Sequence, residues 1–287
     1  MTLGDLKRKA STRRAEYAPQ RYGIRPRRRS RGIRIVVVPD CQVRPGVPLE
    51  HLRWAGEFIA DRGPSVVVQL GDFADMASIS THDAPGSLAK EGKRLREDLD
   101  AVGDGMSMLM RPVRKMRRRP RMVLVKGNHE ERFDRFVQAN PVLSGMLGDD
   151  PFGYAGAGWE VFPFLRPVVI QGIAFSHFFP RSASGKITQT RNGAPNALTM
   201  VKREMRSCVA GHTQGLDTAC YTIGDRMLRG VIAGSFYLHD EEYLSEQGRH
   251  YWAGILELNE AADGYFDLSE VSIDFLCRRY GSGRWPR

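Results

Sequence analysis

The stretch Ile33-Arg34-Ile35-Val36-Val37-Val38-Pro39-Asp40-Cys41-Gln42 decides the fold class of this 287-residue chain. Its first six residues are mostly β-branched, a pattern typical of a strand buried on both faces, and Pro39 ends that strand. Residues 66–70 and 122–125 are similar short apolar runs, and each also leads into a polar segment. Such runs, alternating with helical segments, predict an α/β architecture.

Helices and further strands complete the predicted architecture. One helix is expected over residues 49–62, and a longer amphipathic helix over the apolar repeat of residues 95–113. A strand pair is predicted over residues 168–177. Three later strands are expected to form an antiparallel meander: residues 230–238, 250–259 and 265–276.

Four short polar segments follow one another in the chain, and three of them come directly after an apolar run. They are Pro39-Asp40-Cys41-Gln42, Gly71-Asp72-Phe73-Ala74-Asp75, Gly127-Asn128-His129-Glu130 and Gly211-His212-Thr213-Gln214. Each alone also fits an ordinary turn. Together they place metal-ligating side chains at the carboxyl ends of strands, where side chains converge on one crevice and can hold two cations about 3.5 to 4 Å apart.

These segments resemble the signature of the calcineurin-like metallophosphoesterases, which runs D-x-H, G-D-x-x-D, G-N-H-[DE], a lone His and G-H-x-H. The likeness is greatest to the phosphoesterases encoded by tailed phages, which share Asp75-Met76-Ala77-Ser78 and a segment like residues 234–240. The resemblance implies a four-layer αββα sandwich of two mixed β-sheets flanked by helices, over residues 32–287. It also implies hydrolysis of a phosphoester by a metal-activated hydroxide.

The resemblance further implies two divalent metal ions that share one carboxylate. The first site would take Asp40, Gln42, Asp72 and Gln214, and the second Asp72, Asn128, His177 and His212. Gln42 and Gln214 stand where the family has histidines. Because an amide oxygen is a harder and weaker donor than imidazole, the first site should prefer Mn²⁺ or Mg²⁺ over Zn²⁺ and hold its ion weakly. The alternative is that catalysis has been lost and the fold kept for binding.

Two further residues acquire a chemical role from the resemblance. His129 aligns with the catalytic histidine that donates a proton to the leaving oxygen or stabilises phosphoryl charge, and Asp75 with the carboxylate that orients it. Met76-Ala77 stand where the Ser/Thr protein phosphatases have Arg-Gly, which disfavours protein phosphatase activity.

A Ser/Gly/Asn-rich stretch after His177 offers candidate phosphate-binding residues: Arg181, Lys186 and Arg191. Such a loop could cover the crevice and bind substrate, and a solvated connection is the alternative. His82, His239 and Asp240 are weaker candidates.

The positive charge of the chain is concentrated at its amino terminus. Residues 1–34 contain twelve Lys or Arg against Asp5 and Glu16, a net charge of +10 that equals that of the whole chain. Because this segment has little apolar content, residues 1–31 are predicted to form a disordered basic arm. The arm would contact nucleic acid, or act as a solubilising tail or an Arg-rich targeting segment. The basic run of residues 111–121 is either a solvated face or a second nucleic-acid patch.

The remaining composition restricts the location of the protein. No stretch approaches 18 consecutive apolar residues, and the amino terminus lacks an apolar signal segment, so we expect a soluble cytoplasmic protein with no membrane partner, in a bacterial host if it is phage-encoded. The four cysteines share no C-x-x-C spacing, which favours reduced, packed thiols.

The sequence therefore predicts a dinuclear metal-dependent hydrolase, a phosphodiesterase or nuclease acting on nucleic acid or nucleotides. The basic arm is the feature that favours nucleic acid as substrate. The alternatives are a phosphomonoesterase of small substrates and a catalytically silent nucleic-acid-binding protein.

Overall fold

Two mixed β-sheets pack face to face in the computed structural model, which describes residues 31–81, 86–143, 145–180, 194–239 and 251–283. Helices cover the outer face of each sheet. The predicted α/β sandwich of two mixed sheets flanked by helices is confirmed. Residues 1–30 of the predicted arm lie outside the described residues.

The first sheet has six strands: β1 (Ile33–Val38), β2 (Val66–Gln69), β3 (Arg121–Val125), β4 (Glu160–Phe162), β10 (Gly254–Ala262) and β11 (Tyr265–Ser272). Their order is β11-β10-β1-β2-β3-β4. Strands β1 to β4 are mutually parallel, whereas β10 is antiparallel to both β1 and β11. The carboxyl ends of β1, β2 and β3 therefore lie at one edge of the sheet.

The second sheet has five strands: β5 (Val168–Ile170), β6 (Ile173–Ser176), β7 (Cys208–Ala210), β8 (Leu216–Ile223) and β9 (Arg226–Ala233). Their order is β5-β6-β7-β9-β8. Strand β7 is parallel to both β6 and β9, and the two edge strands are antiparallel to their neighbours.

Five α-helices lie in the described part of the chain: α1 (Glu50–Arg62), α2 (Leu95–Arg114), α3 (Asn128–Ala139), α4 (Ala197–Glu204) and α5 (Ile273–Tyr280). Short 3₁₀ helices occur at Ala77–Ile79, Leu88–Lys90 and Pro141–Leu143. None of these helices combines the length and the apolar character that crossing a bilayer requires.

Strand β1 contributes to two cores, which explains its continuous apolar sequence. Val36 and Val38 pack on the face covered by α1, α2 and α5. Ile35 and Val37 point the other way and pack against the second sheet, because successive side chains of a strand alternate between its faces. A third core lies between α4 and the outer face of the second sheet.

The predicted meander is wrong. Strand β9 ends at Ala233 in the second sheet, whereas β10 pairs with β1 in the first, and the last predicted strand becomes α5 after Ser272. Only the β10–β11 hairpin matches the prediction, together with its turn at Asp263 and Gly264. Apolar runs between turns specify that strands exist, but they do not specify which partner each strand pairs with.

The four cysteines are free thiols, and three of them are buried as predicted: Cys41, Cys208 and Cys277. Cys220 is exposed, in contrast to the expectation that all four are packed.

A buried histidine at the start of α1 makes the stability of the fold sensitive to acid. The ring of His51 is 1% exposed and lies edge-on to Phe236, with the ring centroids 4.9 Å apart. Burial lowers the pKa of His51 from 6.5 to about 3, because the charged imidazolium cannot be solvated there.

We expect the fold to lose stability as the pH falls below the unfolded-state pKa of 6.5, since only the unfolded chain can then protonate His51. Replacing His51→Leu should reduce the loss of unfolding free energy between pH 8 and pH 5 by about 2 kcal/mol. Urea denaturation at several pH values measures this difference. The control is Phe58→Leu, a buried, non-titrating residue of the same helix, which should shift stability equally at both pH values. An acid dependence unchanged by His51→Leu would contradict the assignment.

Candidate metal centre

The candidate ligands come from both sheets and meet where the strands end. Asp40, Asp72 and Asn128 follow β1, β2 and β3 of the first sheet. His177 and His212 follow β6 and β7 of the second sheet. Because the two sheets pack face to face, these side chains project into one shared crevice, as the order of the motifs predicts.

Several candidate ligands have a backbone conformation that side-chain-bearing residues rarely adopt. The φ angles are positive at Gln42 (45°), Asp72 (51°), His212 (69°) and Gln214 (61°). Each such residue costs on the order of 1 kcal/mol and persists only where the surroundings impose it, and such residues cluster at functional sites. The sharp turns aim the side chains inward instead of along the strand direction.

The glycines of the motifs allow the loops to approach one another closely. A Cβ atom on Gly127 would overlap the Asp72 carboxylate, and Gly71 has a positive φ of 91° and lies against Gly127 and the His177 ring. Any larger residue at either position would push the loops of β2 and β3 apart. The Gly-Asp and Gly-Asn pairs are therefore required by packing as well as by turn geometry.

Four polar atoms converge at the centre of the crevice. His177 Nε2 lies 2.9 Å from Asn128 Oδ1, 3.1 Å from His212 Nδ1 and 3.3 Å from Asp72 Oδ2. Asn128 Oδ1 is also 2.8 Å from His212 Nδ1. In the described chain, the ligand atoms of Asp72, His177 and His212 all lie within 4.8 Å of one another. We refer to these four residues as the ligand cluster.

The ligand cluster needs a shared proton or a cation. The other ring nitrogen of His177, Nδ1, lies 2.8 Å from the carbonyl oxygen of Leu70, so Nδ1 donates and Nε2 of the neutral ring carries a lone pair. Carboxylate and amide oxygens near Nε2 can only accept. A proton or a metal ion must therefore lie among these lone pairs.

The ionisation of the ligand cluster reflects the same requirement. Burial alone would lower the pKa of His177, but the Asp72 and Asp40 carboxylates and the Leu70 carbonyl together outweigh it and raise the pKa to about 9. Burial alone would raise the pKa of Asp72, but the nearby His129 and His177 rings hold it well below its ordinary value. Without a metal, the proton on His177 compensates the Asp72 charge.

A second group of buried polar atoms lies beside the cluster. Asp40 Oδ1 accepts from the backbone N–H of His212 at 3.1 Å, whereas Asp40 Oδ2 has no hydrogen-bond partner among the described residues. The side-chain amide of Gln42 is buried and likewise has none there. Gln214 Oε1 accepts from the Tyr237 hydroxyl at 3.1 Å. Burial raises the pKa of Asp40, and the Asp72 charge raises it further. Buried acceptors of this kind fit a second cation.

His129 lies at the edge of the cluster and is oriented by Asp75. His129 Nδ1 is 2.8 Å from the Asp75 carbonyl oxygen and 3.1 Å from Asp75 Oδ1, both of which accept. Nδ1 therefore donates, and Nε2 faces Asp72 Oδ2 at 3.8 Å. Burial lowers the pKa of His129, but the Asp72 and Asp75 carboxylates outweigh it and raise the pKa above its ordinary value. Arg44 pairs with Asp75 Oδ2 at 3.2 Å and fixes that carboxylate.

Sequence reasoning assigned no role to Glu130, which holds these loops together. Its fully buried carboxylate accepts from the backbone N–H groups of Asp72 (2.9 Å), Ala74 (3.1 Å) and Gly127 (2.8 Å), and from the Tyr154 hydroxyl (3.0 Å). The bond to Gly127, three residues earlier, is the glutamate half of a capping box at the start of α3. The Gly-x-x-Glu spacing before a helix was the available signal in the sequence.

We expect Glu130→Gln to destabilise the fold by about 2 to 4 kcal/mol. The amide nitrogen of glutamine would face backbone N–H groups whose hydrogen bonds the carboxylate now accepts. The same variant should bind divalent metal more weakly, since one of the two oxygens that hold the loops of Asp72 and Gly127 together becomes a donor. Tyr154→Phe is the matched control: it removes one of the four donors, and it should cost about 1 kcal/mol and leave metal affinity unchanged. Chemical denaturation and calorimetric titration with Mn²⁺ measure the two quantities. Equal metal affinity in Glu130→Gln and the native protein would contradict this role.

The structure brings together the predicted ligand and catalytic residues, while their chemical roles stay predictions. The three basic residues predicted to bind substrate, Arg181, Lys186 and Arg191, lie outside the described residues, as do His82 and Asp240. His239 stacks on Tyr237, with ring centroids 4.7 Å apart.

Comparisons with known proteins do not assign this chain to a family. No protein-family model matches it, and no curated protein matches it. Solved structures do match. One crystal structure is 11% identical over 83% of this chain and 99% of its own, with a TM-score of 0.41. A likeness this distant carries no argument about function.

Proposed function

We propose that this protein is a divalent-metal-dependent phosphoesterase that hydrolyses phosphodiesters of nucleic acid or nucleotides. The observation that carries the proposal is the ligand cluster of buried lone pairs, with the His129 ring held beside it. Buried polar groups are costly unless they are partnered, so a buried cluster of this kind is typical of a functional site.

The donor set suits a hard divalent cation. Carboxylate and amide oxygens outnumber imidazole nitrogens among the predicted ligands, which favours Mn²⁺ or Mg²⁺ over Zn²⁺. Such an ion would supply Lewis acidity toward a phosphoryl oxygen and lower the pKa of water.

The protein's own proton donor would be His129. Its Nδ1 is committed to Asp75, so in the imidazolium form the second proton sits on Nε2 and points toward the ligand cluster. The neighbouring Asp72 and Asp75 carboxylates raise the pKa of His129, which shifts the ring toward that form. Its side chain remains 14% exposed, so a substrate oxygen can reach it. Donation of the Nε2 proton to the leaving oxygen is the step that this geometry supports.

The described guanidinium groups near the site favour a diester over a monoester. A dianionic monoester is commonly bound by a bidentate arginine. Arg44 is paired with Asp75, and the buried Arg132 donates to the carbonyl oxygens of Asp75 (3.1 Å) and Met76 (3.2 Å). Both guanidinium groups are therefore already engaged by protein atoms. A singly charged diester needs less positive charge for its binding than a dianionic monoester does.

We expect the purified protein to hydrolyse a chromogenic phosphodiester when Mn²⁺ is added, and faster than the matching monoester. Asp72→Asn should abolish turnover and weaken metal binding, whereas Asp100→Asn, an exposed carboxylate on α2, should alter neither. His129→Gln should retain metal affinity and lower the rate by about 10² to 10⁴.

Three results would count against this function. Absence of turnover with every divalent metal, while metal binding persists, would favour the silent nucleic-acid-binding protein. Preference for the monoester would overturn the substrate class. Loss of metal from His129→Gln equal to that from Asp72→Asn would make His129 a ligand.

The amide ligands predict the metal preference of the site. The native protein should be activated by Mn²⁺ or Mg²⁺ and poorly by Zn²⁺, and Gln42→His should shift binding toward Zn²⁺, because imidazole is the softer donor. Competition titrations of the two metals measure the shift. Gln138→His places a histidine on the exposed surface of α3 and should leave the preference unchanged. Tight Zn²⁺ binding by the native protein would show that Gln42 does not tune the site.

A further inference from the structure

Six exposed basic side chains crowd one short segment at the end of α2. They are Arg111, Arg114, Lys115, Arg117, Arg118 and Arg119, and we call them the basic run. The apolar residues between them turn inward: Val113 and Pro120 are buried and Met116 is half-buried. The segment therefore presents charge alone to solvent.

The charges of the basic run are not compensated within the described chain. None of its six members forms an ion pair with a described residue, and Arg119 instead donates to the carbonyl oxygen of Arg114 at 3.1 Å. Two other arginines, one on α1 and one on α2, do have acidic partners. Arg53 pairs with Glu57 at 2.8 Å, and Arg96 with Asp100 at 3.0 Å. The basic run thus keeps its positive field, and its six cations lie within nine residues of chain.

This concentration is not a consequence of overall charge. Residues 35–287 contain 31 basic and 31 acidic residues, so the body of the protein is neutral. A neutral body that gathers six unpaired cations within nine residues has an asymmetric field directed outward at one place.

The basic run lies at the end of the first sheet remote from the ligand cluster. Strand β3 begins at Arg121, just after the run, and the candidate ligand Asn128 follows its other end. Five residues of strand span about 16 Å. The arginines of the run are therefore not positioned to bind a phosphate that is held at the ligand cluster.

The amino-terminal segment joins the body at this same end. The register pairs Ile35 with Val66 and Val66 with Arg121, so the starts of β1, β2 and β3 are neighbours. The described chain begins at the exposed Arg31, just before β1. Arg31 therefore lies at the same end of the first sheet as the basic run, and the sequence before it contains ten further Lys or Arg against two acidic residues.

We propose that the basic run is a docking surface for the phosphate backbone of nucleic acid, separate from the ligand cluster. Five of the six cations are arginine, whose planar guanidinium binds phosphate oxygens in pairs. The surface reads no sequence, because it offers only cations to the backbone. A membrane surface fits less well, since the run exposes no apolar side chain that could insert among lipids.

The test is binding of a fluorescent duplex DNA of arbitrary sequence to the full chain, in chelator so that no turnover occurs. The triple variant Arg114→Gln, Arg117→Gln, Arg118→Gln should weaken binding by about 10- to 100-fold near 0.1 M salt and flatten the slope of log affinity against log salt by about 2 to 3. The matched control is Arg203→Gln, Arg206→Gln, Arg226→Gln, which removes the same charge from exposed positions on α4 and nearby. The control should retain most of the affinity and slope.

Three outcomes would contradict the proposed docking surface. Unchanged DNA binding in the triple variant would make the run a solvated face. Equal weakening of DNA binding by the control variant would show that binding depends on the total charge of the protein and not on the basic run. Loss of binding to phosphatidylserine vesicles, with DNA binding retained, would assign the run to membranes. Because these measurements need no catalysis, and a chromogenic diester should be turned over equally by both triple variants, failure of the docking surface and failure of the proposed function remain distinguishable.

Discussion

One buried carboxylate, that of Glu130, ties together the loops on which the ligand cluster depends. It accepts hydrogen bonds from backbone N–H groups of the loop after β2 and of the loop after β3. The loops that carry Asp72 and Asn128 are therefore held by the same carboxylate. A charged acceptor with several short donors strongly favours a single arrangement of those loops. The positive φ of Asp72 and the close contact between Gly71 and Gly127 follow from that arrangement. The geometry of the crevice thus rests on a residue that is not itself one of the candidate ligands.

The fold class could be predicted because it depends on local signals. The apolar run of β1, and the polar residues that follow β1, β2 and β3, are both visible in the sequence. Partner choice depends on contacts between distant segments, which explains why β9 and β10 were placed in one meander but belong to different sheets. The candidate ligands could be predicted from motif position, whereas the anchoring role of Glu130 and the pairing of Arg44 with Asp75 emerge only once the loops are assembled.

The charge of the protein is arranged along the strand direction of the first sheet. The carboxyl ends of the parallel strands carry the acidic and imidazole groups of the ligand cluster, while the opposite end carries the arginines of the basic run. A polyanion that touches both ends must extend along the body of the protein. If the basic run docks nucleic acid and the ligand cluster hydrolyses it, the two activities would depend differently on salt. Only docking rests on many exposed charges, which salt screens.

The ligand cluster draws its donors from both sheets, with Asp72 and Asn128 on the first and His177 and His212 on the second. A chain in which only one sheet has formed cannot offer the full set, so a cation would bind appreciably only after the sheets have docked. Ligand binding that is restricted to the native state stabilises that state by mass action. Under the proposed metal binding, an ion held there would link the two sheets of the sandwich, so that a chain without it would unfold and be proteolysed more readily than a chain that holds it.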